Sequence, residues 1–184
     1  MSRKRMLSTF REVQKRGPYD EYPVLPADVD PQLHLGKNDR QQPFFLICEK
    51  DTVIAQFTGE GMVEFRGSSV NFFSLEPGDN VYVPGGTPHR FSPKTESIQY
   101  RYKAAQPGLE GVAWYCEECA SELVRVIWDT KAELPQEGYL RACEQFNGNQ
   151  DQRTCPCGAV HPEIDLTPYN WHAVAAELRA EKTE

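Results

Sequence analysis

Short apolar or alternating runs, separated by turn residues, dominate positions 32 to 103 of the chain. Examples are "PFFLICE", "TVIAQFTG", "NVYVPGG" and "SIQYRYKA", which are rich in Val, Ile, Phe and Tyr and bounded by Gly, Pro, Asn or Asp. Runs of this length and spacing are typical of antiparallel strands in a sandwich or small barrel. The pattern therefore predicts an all-β domain over residues 30–105.

The pattern changes on both sides of this domain. Residues 1–29 are predicted to form a basic arm followed by a Pro-rich connector, "EYPVLPADVDP". The arm carries six cations against Glu12, namely Arg3, Lys4, Arg5, Arg11, Lys15 and Arg16. We interpret it as a solvated, partly helical tail; contact with an acidic surface is the alternative.

The end of the chain predicts a docking helix within residues 163–184. Thr167 and Pro168 provide a cap and a first turn, and four apolar residues fall on one helical face. These residues are Trp171, Val174, Ala175 and Leu178.

Composition and charge narrow the function classes. The 184 residues are 39% hydrophobic, with a mean hydropathy of -0.62 and a net charge of -7. The negative charge argues against nucleic acid as a partner, because binding to a phosphate backbone needs a cationic surface. No apolar run of membrane-spanning length and no apolar signal core occur, so we expect no membrane partner and a cytoplasmic location.

Two close cysteine pairs lie in residues 106–162, which predict a metal-binding appendage. Cys116 and Cys119 form a CxxC pair, and Cys155 and Cys157 form a CxC pair. In a reducing compartment such pairs are more often metal ligands than disulfides. We expect a structural zinc or iron ion here, with reduced structural thiols as the alternative.

The stretch "PGDNVYVPGGTPHRF" carries the second motif of the cupin barrels, with Gly78, Pro84, Gly86 and His89 at the motif spacing. The turn would direct the His89 imidazole into the barrel, where a metal can be bound. The first motif, counted back from Gly59, lacks histidine and glutamate at its ligand positions.

With "GLEGVAWYCEECASELVRV" and "RTCPCGAVHP", these motifs make residues 32 to 162 resemble the bacterial 3-hydroxyanthranilate dioxygenases. This resemblance implies a cupin barrel, a rubredoxin-like cysteine site and a homodimer. The family's second cysteine pair is CxxC, so the shorter CxC pair here leaves Cys143 or His161 as alternative ligands.

The resemblance also implies where catalytic residues would lie. The family's iron ligands fall on Leu46, Thr52 and His89, so two of the three are lost, which argues against a catalytic iron. Cys48 occupies the slot of another motif histidine. A rebuilt site of Cys48 and His89 with His34 or Asp51 is the alternative to Cys48 as a small buried side chain.

The substrate-binding positions of the family have changed as well. The arginines that hold the substrate carboxylate fall on Gln42 and near Pro93 or Lys94, and a substrate-binding glutamate falls near Arg101. If Arg101 points inward it needs an anion, either a protein carboxylate or a ligand carboxylate; a register shift of one residue would place it in solvent.

Strand alternation predicts the lining of a pocket. The candidate substrate-binding residues are Gln42, Phe44, Leu46, Cys48, Gln56, Tyr82 and Tyr100. The candidate catalytic residues are His89, as acid or base, and Arg101, as carboxylate anchor.

Three functional hypotheses follow. The first is a repurposed cupin that binds or transforms a small aromatic carboxylate without the usual iron. The second is a ring-cleaving iron dioxygenase with a metal site rebuilt around His89. The third is a non-catalytic scaffold or regulatory protein with a filled barrel, which the lack of a cavity above His89 would favour.

Overall fold

The computed structural model describes residues 6–182, with backbone alone for Lys182. Within this part of the chain, no helix has both the length and the apolar character needed to cross a lipid bilayer. The homodimer and the cytoplasmic location stay predictions.

Eleven strands in two antiparallel sheets form the body of the described chain. The first sheet has the order β1 (Tyr22–Pro23), β2 (Gln32–Asn38), β9 (Ser97–Lys103), β4 (Thr52–Thr58) and β7 (Asn80–Val83). The second has the order β11 (Glu122–Asp129), β10 (Leu109–Tyr115), β3 (Phe45–Cys48), β8 (His89–Pro93), β5 (Gly61–Phe65) and β6 (Phe72–Leu75).

Alternation along the strands creates the core between the sheets. In β4, Thr52, Ile54 and Gln56 are buried, whereas Phe57 is exposed on the outer face. Side chains two residues apart share one face of a strand, which explains why this run of mixed residues forms a half-buried strand.

The second sheet extends beyond the sequence-based boundary at residue 105. Val112 in β10 pairs with Leu46 in β3, and β11 then pairs with β10 along its length. The apolar run of β10 covers an otherwise open edge of β3, so residues 109–129 are part of the barrel rather than of a separate appendage.

Four α-helices and a 3-10 helix surround the sheets in the described chain. They are α1 (Thr9–Glu12), the 3-10 helix (Val13–Lys15), α2 (Pro135–Gly148), α3 (Gln150–Arg153) and α4 (Trp171–Lys182). The terminal helix α4 begins at Trp171 rather than at Thr167, and its predicted apolar face is buried against the rest of the molecule.

The N-terminal segment differs from the predicted solvated tail and connector. Residues 16–24 are buried, and Arg16 lies between Glu12 and Glu177 with ion pairs to both. The segment is buried because its carboxylates and aromatic rings pair with groups inside the molecule. Arg3, Lys4 and Arg5 lie outside the described residues.

Candidate functional site

His89 begins β8 and is fully buried in the barrel. Its Nδ1 lies 3.0 Å from the carbonyl oxygen of Thr87, and its Nε2 lies 2.6 Å from Nη1 of Arg101. A carbonyl only accepts and a guanidinium only donates, so Nδ1 carries the proton and the Nε2 lone pair accepts from Arg101. The nitrogen that would face a metal is therefore engaged by a cation.

Arg101 points inward from β9, which resolves the question of its orientation. Its side chain is 8% exposed, and its Nε donates to Oε1 of Glu21 at 2.9 Å. Its Nη1 also lies 3.4 Å from Oγ1 of Thr52. Of the two anions that the sequence allowed, a protein carboxylate holds this guanidinium.

The Arg101–Glu21 pair belongs to a larger buried charge network. Lys103 Nζ lies 2.8 Å from Oε2 of Glu21 and 3.0 Å from Oε1 of Glu110, and the Tyr139 hydroxyl donates to Oε2 of Glu21 at 3.2 Å. We call Glu21, Arg101, Lys103, Glu110 and Tyr139 the barrel charge network. It pairs two carboxylates with two cations, so the interior needs no further ion for charge balance.

Burial and pairing shift the titration of these groups. Burial raises the pKa of Glu21, but the Lys103 and Arg101 charges outweigh this effect and hold that pKa well below its usual range. Burial lowers the pKa of Lys103, but Glu110 and Glu21 reverse this and raise it well above its ordinary value. Glu21 and Lys103 therefore stay charged through the neutral range.

The two histidines of the barrel respond in the opposite way. Burial, reinforced by the Arg101 charge, lowers the pKa of His89 to about 3. Burial, reinforced by the Lys103 charge, lowers the pKa of His34 to about 4. Both imidazoles are therefore neutral at physiological pH.

These residues do not fit a catalytic iron. Arg101 Nη1 lies beside both His89 Nε2 and Thr52 Oγ1, at two of the three positions where the resembled family has iron ligands. The third position, Leu46, pairs with His89 across β3 and β8 and offers no donor atom. Non-haem iron needs two imidazoles and a carboxylate around open coordination positions, and here a guanidinium takes that space.

The space beside Arg101 is also nearly filled. The cavity beside Arg101 measures about 20 Å³ and is lined by Tyr19, Glu21 and Phe91 among others. This volume is about that of one water molecule and far below that of an aromatic ring.

The other predicted pocket residues fall into two groups. Gln42 and Gln56 are buried, but their amides bond to neighbouring protein groups: Gln42 Oε1 accepts from Phe91 N, and Gln56 Oε1 accepts from Gln99 Nε2. Phe44, Leu46 and Cys48 lie in the hydrophobic core, and burial raises the pKa of the Cys48 thiol to about 12.

Tyr82 and Tyr100 are not brought to the interior. Tyr82 is 57% exposed, and the Tyr100 hydroxyl lies 2.5 Å from Oγ1 of Thr9 on the outer face. Strand alternation explains both positions, because inward-facing neighbours such as Val81 and Arg101 force the adjacent residue outward. Their predicted contact with a ligand in the barrel therefore requires correction.

The proposed third ligands of a rebuilt iron site also have other partners. His34 Nδ1 lies 3.1 Å from the backbone oxygen of Glu21, and Asp51 Oδ1 accepts from Gly85 N at the surface. Neither completes a metal site around His89 in this structure.

The four predicted cysteines converge on one point. The Sγ atoms of Cys116, Cys119, Cys155 and Cys157 all lie within 4.8 Å of one another. Two of the separations are 3.6 Å, from Cys116 to Cys157, and 3.4 Å, from Cys119 to Cys155. Four sulfurs at about 2.3 Å from a tetrahedral ion lie about 3.8 Å apart, so this set fits zinc or iron.

A residue in the left-handed backbone conformation follows each of the two cysteine pairs. Ala120 follows Cys119 with a φ of 60°, and Gly158 follows Cys157 with a φ of 96°. These turns let a CxC pair converge as well as a CxxC pair. The proposed substitutes are not in the cluster: Cys143 lies in the core, and the His161 ring packs 5.2 Å from Phe146.

Sequence reasoning did not identify Glu21, Lys103, Glu110 or Tyr139 as partners of Arg101. One signal was available in β9, because Lys103 lies two residues after Arg101 and so shares its face. Another was Glu110, an acid at the start of the apolar run "LEGVAWY". Neither signal identifies Glu21 as the bridging carboxylate.

Comparison with known proteins gives relatives of one kind. The chain is 29% identical to a 3-hydroxyanthranilate 3,4-dioxygenase of Bacillus thuringiensis over 139 residues, which is 70% of this chain and 73% of the relative. A protein of the same name from Brucella anthropi is 29% identical over 126 residues, or 65% of this chain and 68% of the relative. No family model matches the chain.

Solved structures give weaker likenesses. A cupin-2 domain protein of Shewanella frigidimarina has a TM-score of 0.46 at 16% identity, covering 54% of this chain and 94% of that one. The curated relatives, the two-sheet topology and the cysteine cluster confirm the predicted fold class, an all-β cupin barrel with a C-terminal cysteine site and a terminal helix.

Proposed function

We propose that this chain, a divergent homologue of the 3-hydroxyanthranilate 3,4-dioxygenases, is a non-catalytic cupin scaffold whose barrel uses a charge network in place of iron. The observation that carries the proposal is the contact of 2.6 Å between Arg101 Nη1 and His89 Nε2. A metal bound to that nitrogen would need the position and the lone pair that the guanidinium already takes.

The carboxylate that pairs with Arg101 also distinguishes between the three functional hypotheses. A barrel that binds an aromatic carboxylate needs a free cation and room for a ring. Here Glu21 supplies the carboxylate, and the adjoining cavity of about 20 Å³ cannot hold a ring. This favours the scaffold over both the iron-free ligand-binding barrel and the rebuilt dioxygenase.

The four cysteines complete the proposal. A zinc or iron ion held by them would join the turn after β10 to the loop after α3, far apart in sequence at residues 116–119 and 155–157. Such an ion supplies cross-linking rather than chemistry, because all four of its coordination positions would be filled by thiolates. Its role in this scaffold is therefore to stabilise the fold.

Oxygen uptake tests the proposal. The purified protein is loaded with ferrous iron under anaerobic conditions, mixed with 3-hydroxyanthranilate and exposed to oxygen in an electrode cell. We expect no uptake above that of the same mixture without protein. Uptake that persists in Cys116→Ser and disappears in His89→Ala would overturn the proposal in favour of a rebuilt iron site.

A further inference from the structure

A partly open cavity beside the N-terminal connector lies outside the barrel charge network. This cavity measures about 180 Å³ and is lined mainly by apolar side chains. They include Pro23, Ala104, Ala105, Leu134 and Leu178. Apolar cavities of about 150 Å³ in proteins bind benzene-sized molecules, so this one has room for a single aromatic ring.

Two polar side chains of the wall already donate their protons to backbone carbonyl oxygens. His34 Nδ1 lies 3.1 Å from the carbonyl oxygen of Glu21, so Nδ1 carries the proton and Nε2 keeps a lone pair. Thr130 donates its hydroxyl proton to the carbonyl oxygen of Gly108 at 2.7 Å, which leaves oxygen lone pairs. Both side chains can accept a hydrogen bond from a ligand but have no proton of their own to give.

Besides Gln32, whose Nε2 donates to the backbone oxygens of Pro26 and Val29, the wall holds the amide of Gln136. Its Nε2 donates to the backbone oxygens of Asp20 at 2.8 Å and of Glu21 at 3.2 Å. Two carbonyl partners fix the orientation of the amide, since its oxygen cannot donate to them. Its Oε1 is buried and has no hydrogen-bond partner among the described residues.

The wall also lacks a positive charge. No lysine or arginine is among the described residues that line the cavity, and His34 is neutral above about pH 4. A carboxylate would therefore lose its hydration without gaining a counter-ion, which is strongly unfavourable. The cavity selects against the anionic molecules that an aromatic carboxylate site would bind.

We propose that this cavity is a binding site for a neutral, single-ring aromatic molecule that carries a hydroxyl or amine donor. The ring fills the apolar space, and the donor bonds to the acceptors of His34, Thr130 or Gln136. The site does not involve His89 or iron, so it stands or falls independently of the scaffold proposal.

Three probes of similar size test the chemistry of the site: phenol, toluene and benzoate. Binding of each to the full chain is measured by chemical-shift titration in ¹⁵N-labelled protein, which detects weak complexes. We expect phenol and toluene to shift the same resonances around the cavity and benzoate to leave them unchanged. Benzoate binding as tight as that of phenol would overturn the proposal.

Two variants locate the site. Ala105→Trp places a large ring in the cavity and should abolish binding of both phenol and toluene. The matched control Ala132→Trp adds the same ring at an exposed position outside the cavity and should leave both affinities unchanged. Unchanged phenol binding in Ala105→Trp would show that the probes bind elsewhere and would overturn the proposal.

A third variant tests the hydrogen bond. His34→Phe keeps the ring and removes the acceptor, so phenol affinity should fall about three- to tenfold, the usual effect of one lost hydrogen bond. Toluene, which has no donor, should bind as before. An equal loss for both probes, or no loss for either, would contradict the role of His34.

Discussion

The barrel interior and the cysteine cluster are two potential metal sites in one chain. They differ in whether protein groups already pair with the atoms that could bind a metal. Around His89 the nearest charged group is the Arg101 cation, and every charge of the network has an opposite partner. Around the cysteines, four sulfurs lie within 4.8 Å of one another, an arrangement that suits a tetrahedral metal ion. The first arrangement is balanced without a metal, whereas the second offers four ligands to one.

A chain can keep a sequence motif without keeping the metal site that the motif builds. The turn that positions His89 is intact, yet the imidazole has become an acceptor for Arg101. The CxC pair departs from its motif, yet left-handed turns bring its sulfurs to the right separation. Whether a site can hold a metal depends on which groups surround the donors.

The largest expected effect comes from the cysteine cluster. Cys116→Ser should release the bound metal and lower the free energy of unfolding by about 5 kcal/mol or more, since the binding energy of a structural metal is part of the folding energy. Urea unfolding with and without a chelator measures this. Cys143→Ala, which alters a buried thiol outside the cluster, should keep the metal. Loss of metal from that control would contradict the assignment.

Breaking the barrel charge network should cost somewhat less. Arg101→Met leaves Glu21 buried with fewer partners and should lower the free energy of unfolding by about 3–5 kcal/mol. Arg40→Met is the matched control, because its pair with Asp39 is solvent-exposed and contributes less than about 1 kcal/mol. Similar losses in both variants, measured by urea unfolding, would mean that the network does not stabilise the barrel.

The two histidines of the barrel also predict how stability depends on pH. His34 and His89 have pKa values of about 4 and 3 in the folded state, below the value of about 6.5 in an unfolded chain. Below pH 6.5 the unfolded state binds the extra protons, so the free energy of unfolding should fall as pH decreases. Each histidine contributes about 1.4 kcal/mol per pH unit between about pH 4.5 and 6.

Replacing one histidine isolates its share of this slope. His89→Gln should reduce the slope of unfolding free energy against pH by about one proton, while the His34 contribution remains. An unaltered slope in His89→Gln would show that this imidazole is not buried in the neutral form.

The smallest expected effect concerns the turn after Cys119. Ala120 has a φ of 60°, which glycine adopts without strain, so Ala120→Gly should raise the free energy of unfolding by about 0.5–1 kcal/mol. Ala132→Gly, at an exposed position with ordinary backbone angles, should be slightly destabilising instead. The same sign in both variants would argue against strain in the turn.

The sequence predicted features that depend on local pattern. Alternation placed Phe44, Leu46 and Cys48 in the interior, and spacing identified the four cysteines of the cluster. The network could not be predicted in this way, because Glu21 lies 80 positions from Arg101 and its role depends on how the N-terminal segment packs. The same holds for β10 and β11, whose assignment to the barrel depends on pairing with β3.

Metal content per chain tests the central claim most directly. Elemental analysis of the purified protein should find one zinc or iron ion per chain, retained in His89→Ala and lost in Cys116→Ser. Two ions per chain, or one ion that disappears in His89→Ala, would contradict the claim that the charge network has replaced iron in the barrel.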